Sequence, residues 1–173
     1  TVIIIAMFVV VMLGVMHLYT VFGRVIAYQT SSIDVALDGS SIVDAVRDTG
    51  LQARRVVASH TFFGVGRASG TTTAIFELPA IDASGNIIAS AYDYVGVYAS
   101  STEAYRAVDA APGSARASGT KVLTNVLDAL RFTYDAGDFP SVTSLTIDAT
   151  TSATVRGETV QTHLRERVYL RNL

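Results

Sequence analysis

The first 23 residues of the chain, TVIIIAMFVVVMLGVMHLYTVFG, contain no Asp, Glu, Lys or Arg, and the first charged residue is Arg24. A helix rises about 1.5 Å per residue, so about 20 apolar residues cross a hydrocarbon layer of about 30 Å. The segment is apolar around its whole circumference, which requires apolar neighbours on every side. It therefore predicts a helix that lies in lipid or among copies of itself.

Two other interpretations of this segment fit less well. A secretory signal has a basic start, an apolar run of about 7–15 residues and a small-residue cleavage site, and the segment lacks these features. An interior helix of a globular domain needs apolar cover on all sides, and the rest of the chain is too short to supply it.

Helical spacing continues beyond the apolar segment. Between Arg24 and about Ser59 the chain has no proline. Apolar residues recur there at helical spacing with polar residues between them, which is typical of an amphipathic helix with one packed face. We expect one helix over residues 1 to about 54, about 80 Å long, with a kink at the weak point Gly39, where Ser40 or Ser41 caps a new start. The side chains predicted to pack on the rest of the protein are Ile26, Ile33, Leu37, Val43 and Val46.

Beyond residue 55, alternating apolar and polar residues between turn signals predict strands. The clearest segments are residues 87–100, 103–109 and 142–150, and a long final strand is predicted over 158–173. Pro79 is expected to end the strand that starts near residue 71, and a helical turn is expected near residue 122. About five or six antiparallel strands after one long helix predict an α+β fold, in which the helix covers one face of a small sheet.

The chain therefore divides into two parts. Residues 1–24 are predicted to form a hydrophobic membrane or filament-core helix. Residues 25–173 are predicted to form a globular head, in which the amphipathic half of the helix runs to about residue 54 and the antiparallel sheet occupies 55–173.

Composition and spacing exclude several functions. Only 16% of the residues are charged and the net charge is −2, so the chain offers no broad basic surface to nucleic acid. It has no cysteine, which excludes a disulfide framework, a thiolate zinc site and a cysteine nucleophile. His17, His60 and His163 stand alone, without metal-binding spacing. We expect no catalytic, cofactor-binding or metal-binding residues, and therefore no enzyme.

Two short segments match ligand loops only in part. GVGRASG (64–70) departs from the GxGxxG dinucleotide pattern at Ser69 and precedes a strand instead of a helix. Asp82, Ser84 and Asn86 place oxygen atoms at alternate positions, as in a calcium loop, but the later glutamate is absent. We expect a plain loop and a hairpin turn, respectively.

Four residues near the end of the chain, Arg165, Arg167, Tyr169 and Arg171, share one face of the predicted last strand. Such a row suits a solvated surface or salt bridges between subunits. One tyrosine is a poor stacking platform for bases, so a DNA-binding groove is the weaker alternative.

Several stretches together resemble the type IV pilins and their pseudopilin relatives. TVIIIAMFVVVMLGV (1–15) is similar to the apolar segment that follows the processing motif in that family. VLDALRFTYD (126–135), VTSLTIDAT (142–150) and HLRERVYLRNL (163–173) are similar to the C-terminal half of pilin-like proteins that end in an Arg-Asn pair. The resemblance is strong over residues 1 to about 60 and looser over the sheet.

The chain also departs from the pilin pattern. Mature pilins carry a glutamate at their fifth residue, where this chain has Ile5; we expect that glutamate to lie upstream of Thr1. The proline that pilins often have in the first helix is absent, and Gly14 is the comparable weak point, so we expect any melted stretch around residues 9–18. Without cysteine, the C-terminal disulfide loop of many pilins is also absent.

The resemblance implies a structural subunit of a type IV pilus-like extracellular filament, held in the cytoplasmic membrane before assembly. It implies as partners further copies in a helical homopolymer, the lipid bilayer, the pilus assembly machinery and a prepilin peptidase. The product would be a fimbrium on the cell surface, a class of filament that serves adhesion and motility. The residues predicted to pack in the filament core are Ile3, Ile4, Met7, Phe8, Val10, Val11, Gly14, Val15, Leu18 and Phe22.

Two alternatives stay open at the level of sequence. One is a minor pilin or pseudopilin of a pilus or of a type II secretion-like assembly. The other is a single-pass, membrane-anchored, β-rich surface module that binds a ligand alone and does not polymerise.

Overall fold

One continuous helix forms the N-terminal part of the molecule. The computed structural model describes residues 2–171 and places helix α1 at Val2–Gly50, which makes it about 74 Å long. The helix runs through Gly39 without a break, so the predicted restart at Ser40 or Ser41 is wrong. The prediction of one long N-terminal helix is confirmed, and the helix ends slightly before the predicted boundary.

Antiparallel strands make up most of the chain after the helix. Within residues 2–171 there are ten strands, more than the five or six expected. They are β1 (Arg55–Val56), β2 (Ser59–Phe62), β3 (Val65–Ala68), β4 (Thr73–Ile81), β5 (Ile87–Ser100), β6 (Glu103–Asp109), β7 (Gly119–Thr124), β8 (Leu127–Tyr134), β9 (Ser144–Val155) and β10 (Glu158–Tyr169). A 3₁₀ turn at Phe139–Ser141 precedes β9.

Strand boundaries agree with the sequence in the middle of the head and differ on either side. β5 and β6 match the predicted segments. The helical turn expected near residue 122 is wrong, because this segment is strand β7, paired with β6. β4 continues past Pro79 to Ile81 because Pro79 lies beyond the last partner of the short strand β1, Arg55 opposite Glu77. The ring nitrogen of Pro79 therefore costs the sheet no hydrogen bond.

The strands form three sheets. The order in the five-stranded sheet is β1-β4-β5-β6-β7, the order in the three-stranded sheet is β10-β9-β8, and β2 pairs with β3 in a separate hairpin. Backbone hydrogen bonds join the two larger sheets: the Phe132 N–H donates to the Thr71 carbonyl at 2.7 Å, and the Leu127 N–H donates to the Thr102 carbonyl at 2.8 Å. With α1 packed against these sheets, the fold is α+β, as predicted.

The main core lies between the C-terminal half of α1 and the two larger sheets. A second, smaller cluster lies on the other face of the five-stranded sheet, where Phe62 of the β2–β3 hairpin covers Gly96. The principal side chains of the main core are Ile42, Val43, Val46, Phe76, Leu78, Val95, Val97, Leu130, Phe132, Leu145, Ile147 and Val168.

Strand β10 runs lengthwise beside α1. Glu158, its first residue, lines a pocket with Arg24 of the helix, Leu164 approaches Gly39, and Val168 approaches Gly50. The lengths match, because residues 24–50 of a helix span about 39 Å and a strand of 12 residues spans about 40 Å. The helix and the strand therefore contact each other along the whole head.

The predicted sheet-facing stripe of the helix is wrong at Ile26, Ile33 and Leu37. These side chains are 61%, 60% and 61% exposed, whereas Val35 is buried and Val43 and Val46 are buried as expected. At 100° per residue, positions 33 and 37 each lie about 200° from position 35 around the helix. The helix has apolar residues on two opposite faces, and the face with Gly39 and Gly50 packs because only small residues allow the sheet to come this close.

We expect Gly50→Ala to destabilise the head. A Cβ atom at position 50 would lie 2.5 Å from Cγ1 of Val168, so the helix end or β10 must shift, and overpacking of this kind costs about 1–3 kcal/mol. Denaturant unfolding of the full chain in detergent micelles measures the change. Gly23→Ala is the control because open space surrounds that position; equal stability of the two variants would contradict the close contact.

Candidate self-association surface

The first part of α1 extends from the head as a bare apolar rod, defined here as residues 3–23. Within residues 2–171, α1 is the one helix that is long and apolar enough to cross a membrane. Its most apolar stretch of 18 residues has a mean hydropathy of 2.4, and none of that stretch is buried. The head therefore covers none of the surface that most needs apolar neighbours.

The residues predicted to pack in a filament core all lie on this rod, within an arc of about 160° at 100° per residue. Their large side chains are exposed in the single chain, with Val10 at 68% and Phe22 at 62%, and a Cβ placed on Gly14 would face open space. Their role in a filament core stays a prediction. The set is Ile3, Ile4, Met7, Phe8, Val10, Val11, Gly14, Val15, Leu18 and Phe22.

A shallow apolar depression marks the outer half of the rod. It forms around the small side chain of Ala6, and Ile3, Met7, Val10 and Val11 surround it. Residues with this spacing on one helix form the kind of hole that receives a side chain of a second helix. The depression thus has the form of an acceptor site for an apolar side chain of a second helix.

The apolar surface continues past the rod and along the outer face of the head. Ile26, Ile33 and Leu37 lie on the side of α1 that faces away from the sheets, and we call them the outer stripe. Sequence reasoning identified them as one apolar stripe but assigned it to the wrong neighbour. Their exposure leaves this stripe available to another molecule.

The polar side chains in the rod include Thr20, His17 and Tyr19. The Thr20 hydroxyl donates to the backbone carbonyls of His17 at 2.7 Å and Met16 at 3.2 Å. This satisfies the hydroxyl within the helix, as an apolar environment requires. Tyr19 is 83% exposed, so its ring and hydroxyl need partners outside the chain.

One buried carboxylate, Asp93, ties a surface loop to the five-stranded sheet. Its side chain is fully buried and accepts hydrogen bonds from Nη1 of Arg116 at 2.6 Å, from the Ser114 hydroxyl at 2.8 Å and from the Ala111 N–H at 2.8 Å. Arg116 also donates from Nη2 to Oε1 of Gln52 at 2.9 Å. The pair therefore connects β5, the loop before β7 and the segment just after α1.

A second buried carboxylate, Glu77 of β4, forms a two-point ion pair with Arg55. Nε of Arg55 donates to Oε1 at 3.0 Å, and Nη2 donates to Oε2 at 2.8 Å. This pairing raises the pKa of Arg55 above its ordinary value. Arg54 lies 3.7 Å from the same carboxylate. Both buried acids are satisfied by structural partners, and the sequence analysis did not single out either of them.

Two further groups of the head have shifted pKa values with structural causes. Burial raises the pKa of Tyr134, whose hydroxyl donates to the Thr73 carbonyl at 2.8 Å. Burial also raises the pKa of Asp135, but hydrogen bonds from Thr143 and Ser144 outweigh it and lower that pKa to about 2. These bonds hold the loop after β8 against the start of β9.

His60 and His163 each contact an aspartate of the head. His60 lies 2.8 Å from Asp109 and stacks on Tyr94 at 3.9 Å, while His163 lies 2.5 Å from Asp148. In the described part of the chain, no group of three or more His, Asp or Glu side chains is placed to hold a metal ion. The absence of enzymatic activity stays a prediction.

The segment that is similar to a calcium loop, residues 82–86, forms a hairpin turn, as predicted. The Asp82 carboxylate accepts the backbone N–H groups of Ser84 and Asn86, each at 2.9 Å. The bond from Asn86 is the main cause that lowers the pKa of Asp82. The turn joins β4 to β5, with Ile81 opposite Ile87.

Three of the four residues in the C-terminal arginine row share a strand face as predicted. Arg165, Arg167 and Tyr169 alternate with covered residues along β10, and the Arg167 guanidinium lies 5.3 Å from the centre of the Tyr169 ring. Arg167 also donates from Nε and Nη2 to the Ser144 hydroxyl. Arg171 lies beyond the end of the strand, and residues 172–173 of the predicted final strand lie outside the described residues.

Comparison with protein-family models, with curated proteins and with solved structures gives no match to this chain. The functional conclusion therefore depends on the surfaces described above.

Proposed function

We propose that the protein is a structural subunit of a type IV pilus-like filament, which resides in the cytoplasmic membrane before assembly and polymerises through its apolar rod. The observation that carries this proposal is the complete exposure of the rod in a chain whose head is otherwise well packed. Burial of a Val, Leu, Ile, Phe or Met side chain stabilises by about 1.5–3 kcal/mol. A bilayer or a bundle of identical rods provides that burial, and water does not.

The geometry of the rod favours an open polymer. Exposed apolar side chains cover the whole circumference of the rod, so one rod can contact several neighbours through different faces, whereas a two-fold pair would cover only one face. Contacts between different surfaces of identical subunits repeat along an axis and generate a helical filament when they do not close into a ring. Further copies of this chain are therefore the main partner that we propose.

The outer stripe supports a filament subunit over a simple membrane-anchored module. A bilayer covers only about 30 Å of the helix, and the rod already has about that length. Ile26, Ile33 and Leu37 lie beyond it, beside the head. An anchored monomer would leave these side chains in water, whereas neighbouring subunits in a filament would cover them.

The proposal is tested on material sheared from the surface of the source cells. Electron microscopy is expected to show fibres, and mass spectrometry of the purified fibres is expected to identify this chain as their main component. Trace amounts in fibres built from another protein would instead indicate a minor pilin or pseudopilin. Recovery only as dispersed membrane monomers would contradict the proposal.

We expect Ile33→Asp to reduce the yield of fibres strongly while the protein still enters the membrane. An unpaired carboxylate buried between subunits is costly, and position 33 lies outside both the rod and the core. Fibre yield by electron microscopy and membrane content by fractionation measure the two effects. Ile87→Asp makes the same change at a comparably exposed head residue; equal yields from both variants would leave the outer stripe without a role in assembly.

A further inference from the structure

A small charged pocket lies where the apolar rod meets the head, and we call it the interface pocket. Arg24 and Tyr28 of α1 line one side, and Val155, Arg156 and Glu158 line the other. Its volume is about 260 Å³. Arg156 occupies the tip of the β9–β10 hairpin with a φ of 51°, next to Gly157 with a φ of 87°. The hairpin thus places an arginine beside the first charged residue of the helix.

The position of the pocket along the helix determines which layer of the membrane the pocket contacts. The inference rests on the proposed function, in which the rod lies in the bilayer before assembly. Arg24 is then the first residue beyond the hydrocarbon, and Tyr28 lies one turn further on. Arginine and tyrosine at this depth lie at the level of the lipid headgroups. The pocket therefore lies at the level of the phosphates of the adjacent leaflet.

The charged groups of the pocket are available to a ligand. Among residues 2–171, Arg24, Arg156 and Glu158 have no ionic partner within 4.0 Å, unlike Arg47, Arg54, Arg55 and Arg116. Two guanidinium groups bind phosphate through paired N–H donors. Glu158 reduces the charge of the pocket to a single net positive charge, which matches the single negative charge of a phosphodiester.

We propose that the interface pocket binds the phosphate of an anionic phospholipid headgroup. Arg24 and Arg156 bind the phosphate oxygens, Glu158 disfavours groups with more than one negative charge, and Tyr28 packs against the headgroup. Because the two arginines come from the helix and from the hairpin, a bound lipid fixes both the depth of the rod and the rotation of the head relative to the membrane. Leaving the membrane for a filament then requires release of this lipid.

The test compares lipid retention by the full-length protein and matched variants. The protein is reconstituted in vesicles of phosphatidylcholine with phosphatidylglycerol, extracted in mild detergent, and examined by native mass spectrometry for bound lipid. We expect the wild type to retain phosphatidylglycerol in preference to phosphatidylcholine. Loss of the charged contacts in Arg24→Gln/Arg156→Gln should weaken retention at least about tenfold, and Glu158→Gln should strengthen it.

Two controls separate the pocket from general effects of charge and folding. Arg131→Gln/Arg165→Gln removes the same charge from exposed positions on the three-stranded sheet, and its lipid retention should equal that of the wild type. The circular dichroism of all variants should also be unchanged, because the substituted residues are exposed. Equal loss in both double variants would overturn the assignment, because net charge alone would then explain the retention.

Further outcomes separate this inference from the proposed function. If the wild type floats with vesicles but shows no preference for phosphatidylglycerol, the assignment of the pocket to an anionic lipid is overturned. The proposal of a membrane-resident subunit is then unaffected. Failure to float with any vesicle would overturn both. Binding of inorganic phosphate in detergent, with the same dependence on Arg24 and Arg156, would assign the pocket to soluble phosphate and overturn the lipid. If Arg24→Gln/Arg156→Gln loses fibres but retains lipid as the wild type does, the pocket binds a carboxylate of a neighbouring subunit, and the lipid assignment is overturned.

Discussion

Val10→Asp is expected to abolish fibre formation. Val10 is 68% exposed in the single chain and borders the depression around Ala6, so in a filament it would lie among the rods of neighbouring subunits. A carboxylate near the middle of an apolar helix costs about 2.5–3.5 kcal/mol even where water and lipid adapt around it. In a helical polymer every subunit incurs this cost, and the effect is repeated at each contact. Fibre yield by electron microscopy is therefore expected to fall below detection.

Val122→Asp is the matched control for this variant. It makes the same chemical change at a valine on the edge strand β7, which is 48% exposed, and it should leave fibres unchanged. Val10→Leu keeps the position apolar and should also assemble. Normal fibres from Val10→Asp would contradict the proposal that the rod is the polymerisation surface.

Asp93→Ala is expected to cause the largest loss of stability in the head. The change leaves Arg116, the Ser114 hydroxyl and the Ala111 N–H without their common acceptor. Removal of one partner of a buried ion pair costs about 3–5 kcal/mol because the other charge stays buried. That is a large fraction of the stability of an ordinary domain, about 5–15 kcal/mol. Denaturant unfolding of the full chain in micelles, monitored by circular dichroism, measures the loss.

Asp128→Ala is the control for the buried pair. Asp128 is exposed and accepts one hydrogen bond, from the Gln161 amide at 2.9 Å, so its loss should change the free energy of unfolding by less than about 1 kcal/mol. The double variant Asp93→Ala/Arg116→Met should recover part of the loss, since it removes both charges. An Asp93→Ala protein as stable as the control would show that the loop contributes little to the fold.

The long helix and the fold class could be predicted because each has a strong local signal. The run of uncharged residues before Arg24 fits other arrangements less well in a chain of this size, and alternation defines β5 and β6 without reference to the rest of the fold. Which face of the helix would pack could not be predicted. The stripe with Ile33 and Leu37 is as apolar as the stripe with Val35 and Ile42, so hydrophobic pattern alone does not distinguish them.

What distinguishes the two faces of the helix is shape, which depends on contacts distant in sequence. Gly39 and Gly50 look like helix weak points in isolation, yet each makes room for a side chain of β10. The buried ion pair of Asp93 could not be predicted from the sequence for the same reason. Arg116, the partner of Asp93, lies in the loop between β6 and β7, 23 residues away in sequence. A short range of sequence cannot show that such a loop folds back onto a buried acid.

The side-by-side run of α1 and β10 determines how the molecule responds to tension. A pull on the rod is directed along the axis of the helix, parallel to the strand beside it, so the load acts on this contact in shear. In that geometry the contacts of Leu164 at Gly39 and of Val168 at Gly50 resist together, instead of separating one after another as they would if the strand were peeled away. A filament built from such subunits would transmit force along the helix directly into the core of each head.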